Sequence, residues 1–88
     1  EPHMHDAPVI VRLYGRLGEL IGPEVTLRTA EGCTVADVRR ALSEEYQSAS
    51  SALSASRVRA CVGESIVPDD RRVTAGEVVE FFPPVSGG

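Results

Sequence analysis

Few side chains in this sequence are able to do chemistry, and the group best placed for it belongs to the main chain. The sequence closes on Phe81-Phe82-Pro83-Pro84-Val85-Ser86-Gly87-Gly88, an ending expected to leave the α-carboxylate of Gly88 as its terminal group. Gly87 and Gly88 carry no Cβ, so the backbone there can enter a slot too narrow for any side chain. Pro83 and Pro84 fix φ and lack an N–H, so they cannot continue a ladder and favour an extended exit. A structural domain rarely needs a paired-glycine end. A chain whose terminus is handled by an enzyme does.

The remaining candidates are weaker. Cys33 and Cys61 are isolated, without CxxC spacing and without a histidine in the folded part, so a zinc site is not expected. Cys61 lies in an apolar strand and reads as a small buried hydrophobe. Cys33 just precedes a helix start, where the helix dipole lowers a thiol pKa, so a reactive thiol stays open there as an alternative. His3 and His5 belong to a polar start that reads as a disordered leader or cloning scar over residues 1–7. There is no Ser/His/Asp set, metal cluster or phosphate-cradling glycine loop, which weighs against an independent enzyme.

Composition narrows the classes further. The 88 residues suit one domain with a small core. The net charge is −4, and all nine basic residues are arginine. That balance speaks against nucleic acid as a partner. No stretch is long enough to cross a bilayer. Neither cysteine is in an obvious disulfide framework, which fits the reducing cytoplasm.

The elements that must position the tail follow from periodicity. Residues 8–14 are rich in β-formers and read as the first strand. Leu17, Leu20 and Ile21 at helical spacing between glycines predict a short helical turn. Val25, Leu27 and Thr29 alternate with polar residues in a second strand after the Gly22-Pro23 turn. Thr34 is placed to cap the main helix, with Asp37 as capping-box partner and Val35, Val38, Leu42 and Tyr46 on one face. Arg39, Arg40, Glu44 and Glu45 read as its solvated side. Residues 47–56, rich in Ser and Ala, read as a fraying end and loop anchored by Leu53. Val58, Ala60 and Val62 mark a third strand, residues 65–67 a fourth and residues 77–82 the last, each bounded by turn residues. One helix among these strands predicts an α+β roll with a mixed sheet of four to five strands, the helix packed across one face. The first and last strands are expected to pair in parallel at the centre. The domain should span residues 8–84, leaving residues 85–88 as a flexible tail.

These residues also resemble a known family. Gly63-Glu64-Ser65-Ile66-Val67-Pro68, the run from Thr74 to Gly88, and Leu13-Tyr14-Gly15-Arg16-Leu17-Gly18-Glu19-Leu20-Ile21-Gly22 are similar to the ubiquitin-like sulfur carriers, in particular the small subunits of molybdopterin synthases. Phe-Phe-Pro-Pro-Val-x-Gly-Gly is the most specific mark. The resemblance implies a β-grasp fold, no bound cofactor, no metal and no activity without partners. It implies that an E1-like adenylating enzyme uses ATP to activate the Gly88 carboxylate, which then becomes a thiocarboxylate. It further implies a large partner subunit in which the sulfur passes to cyclic pyranopterin monophosphate. Gly87 and Ser86 would form the threading tail, and Phe82, Pro84 and Val85 the apolar contact with partners. Carriers serving thiamine, cysteine or tRNA thiolation would use the same tail, and a non-catalytic ubiquitin-like binding module is the alternative of another class.

Overall fold

In a computed structural model, residues 6–30, 32–54 and 58–83 are described. The elements run β1 (Asp6–Leu13), α1 (Arg16–Ile21), β2 (Glu24–Ala30), α2 (Val35–Glu45), a 3-10 turn (Gln47–Ala49), α3 (Ser50–Ser54), β3 (Arg59–Val62), β4 (Ser65–Val67) and β5 (Val78–Phe82). The five strands form one sheet in the order β2-β1-β5-β3-β4. Only β1 and β5 run parallel, with Leu13 opposite Phe81; the other pairs are antiparallel. This is the mixed roll expected of a β-grasp, with the last strand in the middle.

Alternation along the strands sorts the side chains between two faces. Val9, Val11, Leu13, Ala60, Val62, Val79 and Phe81 point inward and are buried against Val35, Val38 and Leu42 of α2 and against Leu17 and Leu53. Among the described residues the buried set contains no charged or polar side chain. The helix starts where its cap permits. Asp37 N–H donates to Thr34 Oγ1 at 3.2 Å and Thr34 N–H to Asp37 Oδ2 at 2.9 Å, completing a capping box. Two further helix-start N–H groups, of Val35 and Ala36, donate to the carbonyls of Arg71 and Asp69 at 3.0 and 2.9 Å. The donors that a helix start leaves unpaired are thus satisfied by the loop leading to β5.

Three expectations need correction. The first strand begins at Asp6, not Pro8, because the backbone of Asp6 and Ala7 pairs with Ala30 and Thr29; residues 1–5, with both histidines, lie outside the described residues. Residues 47–54 are helical, not loop. Ala49 and Leu53 are four apart and both wholly buried, so one face of this Ser-rich stretch anchors in the core. Arg39 is not solvated either, its side chain being only 15% exposed. Its guanidinium donates to the carbonyls of Leu53 and Val58, pairs with Asp69 at 2.7 Å and stands 5.2 Å from the centre of the Phe81 ring. It closes the helical layer over the sheet, combining charge-assisted bonds with a cation–π contact.

Helix α1 lies unusually close to β1. A Cβ placed on Gly18 would stand 2.7 Å from the Leu13 carbonyl oxygen, a separation that no side chain tolerates. Leu17, one residue earlier, fills the core beneath this contact. Glycine is therefore required at position 18 for packing, independent of its backbone freedom.

Candidate functional site

The site begins where β5 delivers the tail. Val79 and Phe81 face the core, so Val78, Glu80 and Phe82 face the opposite side of the sheet. The parallel register sets Ile10 beside Val78 and Arg12 beside Glu80; the antiparallel register sets Cys61 beside Glu80 and Arg59 beside Phe82. Ile66, 66% exposed, continues the row from Cys61 onto β4. This open face mixes apolar and charged groups. Tyr14, at the end of β1, is 37% exposed and stacks flat on Phe82, with ring centres 4.6 Å apart and planes 2° from parallel.

A polar network fixes that face. Tyr14 Oη donates to Glu80 Oε2 at 2.6 Å, and this bond raises the phenol above its ordinary pKa. Arg12 Nε donates to Glu24 Oε1 at 3.2 Å. Below β5, Arg71 grips Glu77 through two bonds of 2.7 and 3.1 Å, and the Thr74 N–H donates to the same carboxylate at 2.9 Å. Together they hold Glu77 down at a pKa of about 2. The turn that launches β5 is thereby tied to the loop that caps α2. Gly76 in this turn has φ +87, as its place before the last strand requires.

The residues singled out from sequence divide into two groups. Phe82 is half-buried on the open face and Phe81 wholly buried, so the two aromatics do point to opposite sides. Pro83 is the last described residue; Pro84, Val85, Ser86, Gly87 and Gly88 lie outside the described residues. The expectation for Cys61 needs correction. Cys33 is buried and its thiol donates to Thr29 Oγ1 at 3.3 Å, whereas Cys61 is only half-buried on the open face. Partial burial, then the nearby Glu80, push the Cys61 thiol pKa up. Cys61, paired with Glu80 across the sheet, therefore lacks the electropositive setting of a nucleophilic cysteine. Among the described residues no group of three or more His, Cys, Asp or Glu is arranged to hold a metal, and no helix is long and apolar enough to cross a membrane.

Tyr14, Gly15 and Glu80 were not singled out by sequence. Their signal was present in part, since the Ile10–Arg12–Tyr14 alternation continues away from the core. The parallel register that places Tyr14 on Phe82 is not written in either strand.

The fold and this exit define a small ubiquitin-like β-grasp protein whose last strand hands its chain to a glycine-ended tail. The chain belongs to the ThiS family, whose sequence profile matches residues 11–88. It is 32% identical to the molybdopterin synthase sulfur carrier subunit of Escherichia coli over 78 residues, 89% of this chain and 96% of that one. Among solved structures it is similar to SAMP1 from Haloferax volcanii, with a TM-score of 0.81 and 22% identity over 93% of this chain and all of that one. It is also similar to a chain in the complex of subunits 1 and 2 of the molybdopterin-converting factor of Helicobacter pylori, with a TM-score of 0.62 and 18% identity over 92% and 99% of the two chains. These two structural likenesses establish the fold.

Proposed function

We propose that this protein is a sulfur carrier that acts as the small subunit of a molybdopterin synthase. The observation that carries this is the Gly87-Gly88 ending on a ThiS-family chain, together with 32% identity to a named molybdopterin synthase sulfur carrier over 96% of its length. Gly88 is the reacting residue. In an adenylating enzyme its carboxylate oxygen attacks the α-phosphorus of ATP, pyrophosphate leaves and an acyl-adenylate forms. Adenylation is needed because a carboxylate resists nucleophiles and oxide is no leaving group. A sulfur donor then displaces AMP and leaves a thiocarboxylate. Its ionised sulfur is the nucleophile, as for thiols.

The charged tail enters a large subunit and delivers sulfur to cyclic pyranopterin monophosphate, two deliveries making the dithiolene. The carrier needs no bound cofactor or metal of its own, the ATP being consumed by the activating enzyme, and it works in the cytoplasm without nucleic acid or membrane. Ordering the tail costs entropy, so docking energy comes from an apolar surface at the tail base. Phe82 supplies it on the open face, with Pro84 and Val85 continuing it and Gly87 and Ser86 passing through the narrow part. The Tyr14–Phe82 stack supports this assignment, because accessible aromatics are enriched among the residues at the centre of protein contacts.

Intact-protein mass spectrometry tests the proposal. With ATP, an activating enzyme and a sulfur donor, the chain should gain the mass of one oxygen-to-sulfur exchange on Gly88. The mass should revert as molybdopterin appears when the large subunit and pterin precursor are added. Deleting Gly87 and Gly88 should abolish both steps and leave the thermal midpoint unchanged. Thiolation followed by delivery only to a thiamine, cysteine or tRNA acceptor would keep the carrier and reject the synthase. No adenylation at all would favour a binding module.

A further inference from the structure

The loop leaving β1 is shaped around the chain that leaves β5. Tyr14 N–H donates to the Phe81 carbonyl at 3.2 Å, extending the parallel ladder past Leu13. The Tyr14 ring covers Phe82, and its hydroxyl holds Glu80. Gly15 follows with φ 59 and ψ −135, a conformation costly for any residue with a side chain. A Cβ placed on Gly15 would stand 2.8 Å from Pro83 Cγ and 3.6 Å from Pro83 Cδ. The proline ring is rigid, so it cannot bend away as the end of a long side chain can. Gly22, Gly63 and Gly76 also have positive φ, but a Cβ on any of them would meet nothing within 4 Å. At Gly32, φ 81, a Cβ would make only an ordinary 3.5 Å contact with the end of the Arg72 side chain, so among the five positive-φ glycines of the described residues Gly15 alone would clash with another segment.

We propose that Tyr14 and Gly15 form a seat for Phe82 and Pro83, and that Gly15 is thereby a positioning residue for the chemistry at Gly88. This rests on the assignment of Gly88 as the adenylated and thiolated group. Five residues beyond Pro83 reach at most about 17 Å when fully extended. A tilt of about 30° at the seat would swing the far end by up to about 9 Å at that reach. Displacements far smaller than this cost about a hundredfold when the reacting atom must meet fixed groups in a narrow site. The seat limits the directions in which the chain leaves the sheet at Pro83, so within the docked complex the tail is more often aligned for reaction. It touches neither ATP nor sulfur.

The test uses the full chain and an adenylating enzyme that charges the wild type, with kcat and KM measured by ATP–pyrophosphate exchange. Gly15→Ala should lower kcat about tenfold or more, with KM for the carrier changing by far less, because Phe82 stays on the docking face. Gly63→Ala, at a matching φ of +60 in open space, should change neither parameter. In a Pro83→Ala background Gly15→Ala should lower kcat less than in the wild type, since the ring it strikes is gone and only its backbone strain is left. A rise in KM alone, or an equal loss of kcat in both backgrounds, would overturn the positioning role. Should Gly15→Ala fail to fold, Pro83→Ala empties the seat without backbone strain. It should still lower kcat about threefold or more, and an unchanged kcat would reject the proposal. A nuclear Overhauser contact between Gly15 Hα and Pro83 Hγ in the free protein checks the seat without any enzyme, and its absence also rejects the proposal. If that contact is present but the wild type is never adenylated, the assignment of Gly88 has failed, and the positioning role falls with it.

Discussion

The two faces of the central strand carry consecutive aromatic residues with opposite duties. Phe81 is fully buried in the core beneath the Arg39 guanidinium, whereas Phe82 lies half-covered by one tyrosine on a face otherwise held by the Arg12–Glu24 ion pair and the Tyr14–Glu80 hydrogen bond. The inward side chains that β3 and β5 bury are all apolar. The outer face interleaves Ile10, Val78 and Phe82 with Arg12, Glu80 and Arg59. A sheet that used its second face only as a surface would need no stacked aromatic pair there. The contrast separates residues that hold the fold together from those that meet another molecule, although they are neighbours in sequence.

The inner face should give the largest effects. Phe81→Ala should cost about 3–5 kcal/mol and Leu42→Ala about 2–5 kcal/mol, the usual range for truncating buried side chains. Urea titration measures both. A loss under about 1 kcal/mol for either would mean that the inner face is not the one sealed by α2.

The clamp below β5 should come next. Glu77→Gln should cost about 1 kcal/mol near neutral pH, since it removes the charge of a partly exposed pair but leaves the Arg71 side chain in place. The pH dependence has a definite sign. The folded-state pKa of Glu77 is depressed to about 2, so its stabilisation is present above its ordinary value of 4.5 and is lost as pH falls toward 2. The wild type should therefore lose stability over that window more steeply than Glu77→Gln. Parallel acid-unfolding curves would show that the clamp contributes nothing.

Phe82→Ala should be mild for stability and severe for association. Loss of the stacked pair should cost about 1 kcal/mol. Affinity for the large subunit, measured by calorimetry, should fall about tenfold or more if Phe82 anchors the contact. An unchanged affinity would make the open face a surface and nothing else.

Much of this was legible in the residues. Val9, Val11 and Leu13 at period two, the Thr34–Asp37 cap and the Val35–Val38–Leu42 face each carried one local preference, and each folds accordingly. What escaped depended on residues distant in sequence. Arg39 looked solvated because its partners Asp69, Leu53 and Val58 are 30, 14 and 19 positions away. Cys61 looked buried because its strand is apolar, yet the alternation that buries Ala60 and Val62 turns it outward. Serines hid the helix at residues 50–54, where a single turn needed only Ala49 and Leu53 to anchor it. Of the candidate site, the paired-glycine ending is plain in the sequence, whereas the contacts of Tyr14 with Phe82 and of Gly15 with Pro83 arise only from the register of β1 on β5.

The central place of β5 also bears on how the protein is made. Before Val78 emerges during synthesis, β1 pairs only with β2 and β3 only with β4, two ribbons with no strand in common. Two-stranded ribbons are marginal in water by themselves, and pairings between distant segments form slowly. The sheet can close only once its last strand is available to bridge them. Nascent or prematurely terminated chains therefore remain open to proteases, while a folded copy has already been translated through Phe82. Cellular proteolysis would in this way tend to clear chains that stop before β5 is complete.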